Sequence, residues 1–241
     1  MLRIASISLF ALALVGCAAV PPSERNPRDP WQRVNRGVYK FNDAFDKAVA
    51  TPVARTYLRV VPQAARTGIN NFFNNATYPD VMVNALLQGQ LKPFARDTGR
   101  FVVNSTLGIG GLFDPASHMG LALEDRDFGQ TFGKWGIPTG PFLVLPFLGP
   151  SDIRDGLGRI PDAYAEPWAY IRNPYWDYGS LLIYEINERA NLLPITDMAK
   201  KTFDPYAFER NAYLQAREYM VKGPQGQQNS AEDELKQLQQ Q

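Results

Sequence analysis

Proline sets the first limit on this chain: 19 prolines and 19 glycines are scattered through 241 residues. A proline inside a helix removes a hydrogen bond and crowds the preceding turn, and inside a sheet it removes a ladder bond. The count therefore predicts many short elements and turns rather than a few long unbroken helices. The sharpest case is 137–150, Ile-Pro-Thr-Gly-Pro-Phe-Leu-Val-Leu-Pro-Phe-Leu-Gly-Pro, which is almost without polar side chains. Its prolines exclude an ordinary central strand and an unbroken helix. A stretch so apolar and so broken is either deeply buried or lies in lipid. The run 107–113 (Leu-Gly-Ile-Gly-Gly-Leu-Phe) is the second such segment.

Elsewhere the periodicity is helical. Asp29-Pro30 pairs an N-cap residue with proline at the first helical position. From there Trp31, Val34, Val38, Phe41, Phe45 and Ala48 recur at three- and four-residue steps, with Arg33, Arg36, Lys40, Asp43 and Lys47 opposite. This helix is expected to stop near Thr51-Pro52. Pro62, Pro79 and Pro93 each stand where a further helix could start, a helix is expected over 175–193, and Asp204-Pro205 repeats the start signal. Convincing alternating strands are absent, so the fold class is read as mostly α.

The N-terminal residues carry their own message. Arg3 precedes an apolar run over 4–15, too short to span a bilayer as a helix. It ends in Leu14-Val15-Gly16-Cys17, which resembles the bacterial lipobox, and Cys17 is the only cysteine. This predicts a signal peptide over 1–16, cleaved after Gly16. Cys17 is then expected to carry a covalent diacylglycerol and an N-acyl chain. Two chains suffice for stable anchoring at ~0.8 kcal/mol per buried CH₂. Residues 17–28 read as a lipidated tether stiffened by Pro21, Pro22 and Pro27, 29–222 as one helical domain, and 223–241 as a polar, flexible tail. Ala18 is not aspartate, and by resemblance to sorted Gram-negative lipoproteins this favours the periplasmic side of the outer membrane.

Signals for catalysis are missing. The formal charge of +1 gives no footprint for nucleic acid. His118 is the single histidine, and no G-x-S-x-G elbow accompanies it. Gly108-Ile109-Gly110-Gly111 lacks the lysine and hydroxyl of a phosphate loop. Asp125/Asp127 and Asp152/Asp155 are read as salt-bridged to the neighbouring Arg126 and Arg154. No cofactor, metal or catalytic residue is assigned.

Several longer blocks resemble the MlaA (VacJ) lipoprotein family: Phe41-Asn42, the run 61–72, the run 104–114, the run 127–136, Gly140-Pro141-Phe142 through Leu145-Pro146-Phe147, and Asp204-Pro205-Tyr206. The likeness covers roughly 29–221. The resemblance implies a compact ring-like helical domain embedded in one leaflet, with an amphipathic channel. It also implies removal of mislocalised phospholipid from the outer leaflet, delivery to a soluble periplasmic carrier (MlaC-like), binding to a trimeric outer-membrane porin, and upkeep of outer-membrane lipid asymmetry. No energy-coupling motif is present, so lipid would move down a gradient of stability.

Within that picture Leu107, Ile109, Leu112 and Phe113 are expected to form a mobile apolar loop beside the channel. Phe142, Leu143, Val144, Leu145 and Phe147 are expected to rest in the leaflet or line the passage. The competing reading makes both segments plain core. Two other functions stay open at this point: a non-transporting envelope scaffold, and a lipase or acyltransferase using His118.

Overall fold

The computed structural model describes residues 26–166, Tyr170 and 173–239. Cys17, the expected signal peptide and most of the expected tether lie outside the described residues. The fold is mostly helical, as the periodicity requires. Helix α1 (Gln32–Phe45) runs through a π-helical turn (Asp46–Ala50) into α2 (Thr51–Val60). Then come α3 (Gln63–Leu87), α4 (Leu91–Thr106), the single turn α5 (Pro115–His118) and α6 (Phe128–Lys134). A hairpin of β1 (Phe142–Leu145) and β2 (Gly149–Asp152) leads into α7 (Ile153–Ala165), α8 (Pro174–Ala199) and α9 (Pro205–Gln239). Contacts close a circuit: α1 meets β1, β2 meets α7 and α9, α7 meets α6 and α3, α3 meets α8, and α8 meets α2.

Proline breaks fewer helices than its count suggests. Pro62 does precede α3, but Pro79 lies inside it, and Pro161 and Pro194 lie inside α7 and α8. At Pro79 the neighbouring Thr77 hydroxyl donates back to the Phe73 carbonyl at 3.1 Å. Packing of α3 on four other helices holds it together through the break. The expected stop at Thr51-Pro52 is also absent. The π turn widens the backbone just ahead of the proline, where its ring would otherwise press on the previous turn. In the tail, Gly223 (φ 74°, ψ −175°) breaks α9, and the segment expected to be flexible continues as helix to Gln239. Aspartates do cap as their sequence positions suggest: Asp114, Asp127, Asp152 and Asp204 each accept from the backbone N–H three residues on. Asp29 is the exception, since its carboxylate is spent elsewhere and α1 begins after Trp31 without a side-chain cap.

The first helix leaves most of its apolar stripe exposed, with Val38 packed against the core. Trp31, Val34, Phe41 and Phe45 are each exposed at 40% or more, while Gln32 and Asn35 are buried. The buried Asn35 amide donates to Asp29 at 2.8 Å and to the Phe142 carbonyl at 3.0 Å, and its oxygen accepts from Val144 N–H at 3.0 Å. Two turns on, Asn42 donates to the Leu145 carbonyl and accepts from Phe147 N–H, both at 2.9 Å. The two asparagines thus satisfy the free edge of β1, as a third strand would.

Ion pairs fasten the other joints. Asp29 accepts from Tyr206 and Arg210 of α9, at 2.5 and 3.1 Å. Arg189 and Lys200 grip Asp46 of the π turn at 2.6 and 2.9 Å. Arg126 pairs with buried Asp97 at 2.6 Å and with Glu124, not with its neighbours Asp125 and Asp127 as expected. Asp127 instead takes Arg217 of α9. Arg154 does pair with Asp155, at 3.0 Å. Apolar packing is confined to small clusters, chiefly Phe142, Val144, Tyr206 and Leu214.

Two predictions follow from these joints. Asn35→Ala should lower stability by about 3 kcal/mol, because three buried partners lose their bond, and Asn42→Ala by about half as much. Thermal unfolding of the detergent-solubilised chain, followed by circular dichroism, reads both. Acid should loosen the 107–118 region. Burial alone would raise the Asp114 carboxyl, but hydrogen bonds from Ser117, Arg100 and Asn104 outweigh it and hold the group near 2, below its ordinary 3.8. That stabilisation, about 2 kcal/mol, is complete above the ordinary value and is lost as pH falls through 3.8 toward 2. Asp114→Asn should remove this part of the acid limb in a melting series from pH 5 to 2.5.

Candidate functional site

Two features define the candidate site: an apolar outer surface and a charged central cavity. Many large apolar side chains on the helices are exposed. Leu86, Leu91, Leu157, Ile160, Leu182 and Ile195 are exposed along with the α1 stripe. Monomers in water rarely show contiguous apolar area beyond a few hundred Å². Among the described residues, no helix is long and apolar enough to cross a membrane.

The two segments singled out in the sequence differ in placement. In the 107–113 loop Leu107, Ile109, Leu112 and Phe113 are all exposed, at 69, 65, 44 and 60%. They are not core. The loop itself is tied down: Gly110 and Gly111 N–H donate to the Ser105 and Asn104 carbonyls, and Phe113 N–H to Gly108. Gly108 and Gly111 answer to close fit, whereas a Cβ at Gly110 would meet open space. Gly111 has φ 91°, and a Cβ there would come within 2.4 Å of the Asn75 side chain.

The hairpin splits by strand alternation. Phe142 and Val144 point into the core at 1 and 6% exposure, so they leave the set of residues free to touch lipid. Leu143 and Leu145 are half-buried, and Phe147 at the turn is 64% exposed. Phe41 and Phe45 meet the Phe147 ring edge-on, each at 5.1 Å. An outward aromatic cluster is the result.

Backbone strain marks the same two segments. Ile109 (φ 53°) and Phe147 (φ 64°) are the two non-glycine residues with positive φ among the described residues. A left-handed conformation costs roughly 1–2 kcal/mol in a residue with a Cβ. Strain of this kind gathers where a fold presents a side chain for use. Sequence periodicity carries no sign of it.

The cavity lies where α3, α7, α8, α9 and the hairpin turn converge, and measures ≈ 540 Å³. Its wall takes Leu148 from the hairpin but none of the 107–113 loop. Val81, Ala163, Leu181 and Tyr184 supply apolar wall. Beside them stand seven carboxylates (Asp80, Asp125, Asp127, Asp155, Asp162, Glu166 and Glu185) and three arginines (Arg126, Arg159 and Arg217). Burial raises Asp80 to about 8 and Asp162 to about 7, and neighbouring carboxylates push the same way. On the far side Asp155 is held down, because hydrogen bonds from Arg217 and Tyr213 overcome the effect of burial. The cavity fits a ligand with apolar and charged parts. No sequence pattern announced it, since its carboxylates come from four separate segments. His118 is exposed at the end of α5, outside this wall.

Comparison with known proteins supplies the family. Residues 27–220 match the MlaA lipoprotein family. The intermembrane phospholipid transport system lipoproteins MlaA of Shigella flexneri and of Escherichia coli K12 are each 34% identical over 247 residues, with 98% of both chains covered. The protein so named from Haemophilus influenzae is 32% identical over 222 residues, covering 88% of each chain. A solved chain, from work on the structural basis for maintenance of bacterial outer membrane lipid asymmetry, superposes with a TM-score of 0.72 at 33% identity and covers 82% of this chain and 100% of its own length. Its fold, the run of matched residues and the near-full-length relatives agree: the chain belongs to the MlaA lipoprotein family.

Proposed function

We propose that this chain is an outer-membrane lipoprotein that takes mislocalised phospholipid from the outer leaflet and passes it toward the periplasm, so maintaining lipid asymmetry. One observation carries the reading: a body that leaves many large apolar side chains exposed holds an open cavity of ≈ 540 Å³ lined by apolar and charged side chains together. Such a body suits hydrocarbon outside and a headgroup inside. A headgroup crossing hydrocarbon unaided would leave its charges unsolvated, at a cost of at least several kcal/mol. A polar wall beside an apolar one removes most of that cost. The names of the relatives, which describe an intermembrane phospholipid transport system, support the same reading.

The exposed belt would rest in the inner leaflet of the outer membrane, with the lipid on Cys17 securing attachment. Ile109, Leu112 and Phe113 on one side, and Phe41, Phe45 and Phe147 on the other, would touch acyl chains. A trimeric porin in the membrane and a soluble lipid carrier in the periplasm are the partners this task requires. The chain would act as a passage and not as an enzyme, with lipid moving toward the more stable site.

The decisive measurement is the phospholipid content of the outer leaflet in a strain lacking this gene. It should rise, together with sensitivity to detergent, and return to normal when the gene is restored. An unchanged leaflet would sink the transport reading. Replacement of Ile109 or Leu112 by aspartate should reproduce the defect at normal protein levels. Phe147→Asp should weaken partition of the solubilised chain into phospholipid vesicles about tenfold or more, since an exposed aromatic contributes roughly 1.5–3 kcal/mol on burial. Vesicle flotation reads this directly.

A further inference from the structure

The charges on the cavity wall do not balance. Among the described residues, Arg126 is committed to Asp97 and Glu124, and Arg217 to Asp127 and Asp155. Asp80, Asp125, Asp162 and Glu166 form no ion pair with any described cation, and Arg159 pairs with no described carboxylate. Asp80 accepts only from the Asn84 amide, at 2.9 Å, and Asp162 from Phe128 N–H, at 2.8 Å. Arg159 and Asp162 lie three residues apart on one face of α7, and Glu166 follows directly after its last residue. The wall therefore presents a patch of carboxylates without a direct ion pair and, a turn away, an arginine without a described carboxylate partner.

Resting on the transport reading above, we propose that this cavity seats a zwitterionic phospholipid headgroup. Its primary ammonium would lie among Asp80, Asp162 and Glu166, and its phosphate would turn toward Arg159. The chemistry selects such a group on three counts. An ammonium supplies the cation the carboxylates lack, and its three N–H groups can donate to more than one of them. The phosphate matches the planar donor face of arginine. An anionic headgroup without an amine would bring further negative charge to a patch that already repels itself. Burial, reinforced by Asp162, Asp127, Glu166 and Asp125, already keeps Asp80 reluctant to ionise. An arriving ammonium would reverse that and release a proton.

The test uses the full-length chain in detergent, offered equal amounts of phosphatidylethanolamine and phosphatidylglycerol with identical acyl chains, with retained lipid measured by native mass spectrometry. One added charge-assisted hydrogen bond predicts about a tenfold preference for the ethanolamine lipid. The double variant Asp80→Asn/Asp162→Asn should bring the ratio close to one by lowering retention of the ethanolamine lipid while that of the glycerol lipid holds. Arg159→Gln should weaken both lipids alike and leave the ratio in place. Equal retention of both headgroups by the wild-type chain would overturn this proposal and leave the transport reading standing. Retention of neither would overturn both. The wild-type ratio needs no variant, so a misfolded mutant cannot rescue the idea.

Discussion

Polar contact, more than apolar packing, holds this molecule together. Helix joins helix through carboxylate–guanidinium pairs and buried amides: Asp29 with Arg210, Asp46 with Arg189, Asp97 with Arg126, Asp127 with Arg217. In a water-soluble protein such pairs often fail to repay their desolvation. The comparison changes when the outer surface faces hydrocarbon. A charge there has no water to return to, and the interior becomes its only adequate solvent. Once the interior is given over to charge, apolar side chains have to lie outside. The exposed stripe of α1 and the clamp of Asn35 and Asn42 on β1 are two faces of one arrangement.

The same division organises the centre. A small apolar cluster around Phe142 and Tyr206 anchors the hairpin to α9 and leaves the space beyond it open. Elements from widely separated parts of the chain surround that space, and α3, α7, α8 and the segment before α6 supply its acidic groups. The cavity is thus a product of topology. The hairpin matters twice, because its buried residues fix the framework while Phe147 and Leu148 face outward and inward from the turn.

Reading the sequence found the elements more easily than their orientation. The apolar repeat from Trp31 to Phe45 was legible, and so was the Asp204-Pro205 helix start. Which side of α1 would be buried was not, since a 3.6-residue period is the same whether water or lipid lies beyond it. The prolines misled for a related reason. Pro79, Pro161 and Pro194 sit in helices held by neighbours, a tertiary effect that local propensity does not contain. The alternation of Phe142, Leu143, Val144 and Leu145 was too short and too uniformly apolar to show a strand. Arg126 found its partner 29 residues away in Asp97, where adjacency in sequence suggested Asp125 and Asp127. The seven-residue step between Asn35 and Asn42 was the one available hint of the clamp.

The buried pair of Asp29 and Arg210 joins residues 181 apart and ties the start of the chain to α9. A chain delivered N-terminus first must wait for α9 before that link can form, and until then the greasy outer faces have neither a finished scaffold nor a bilayer to occupy. Contacts this distant in sequence come late and slowly. Until the last helix arrives, the exposed apolar faces lack the polar joints that hold them in place.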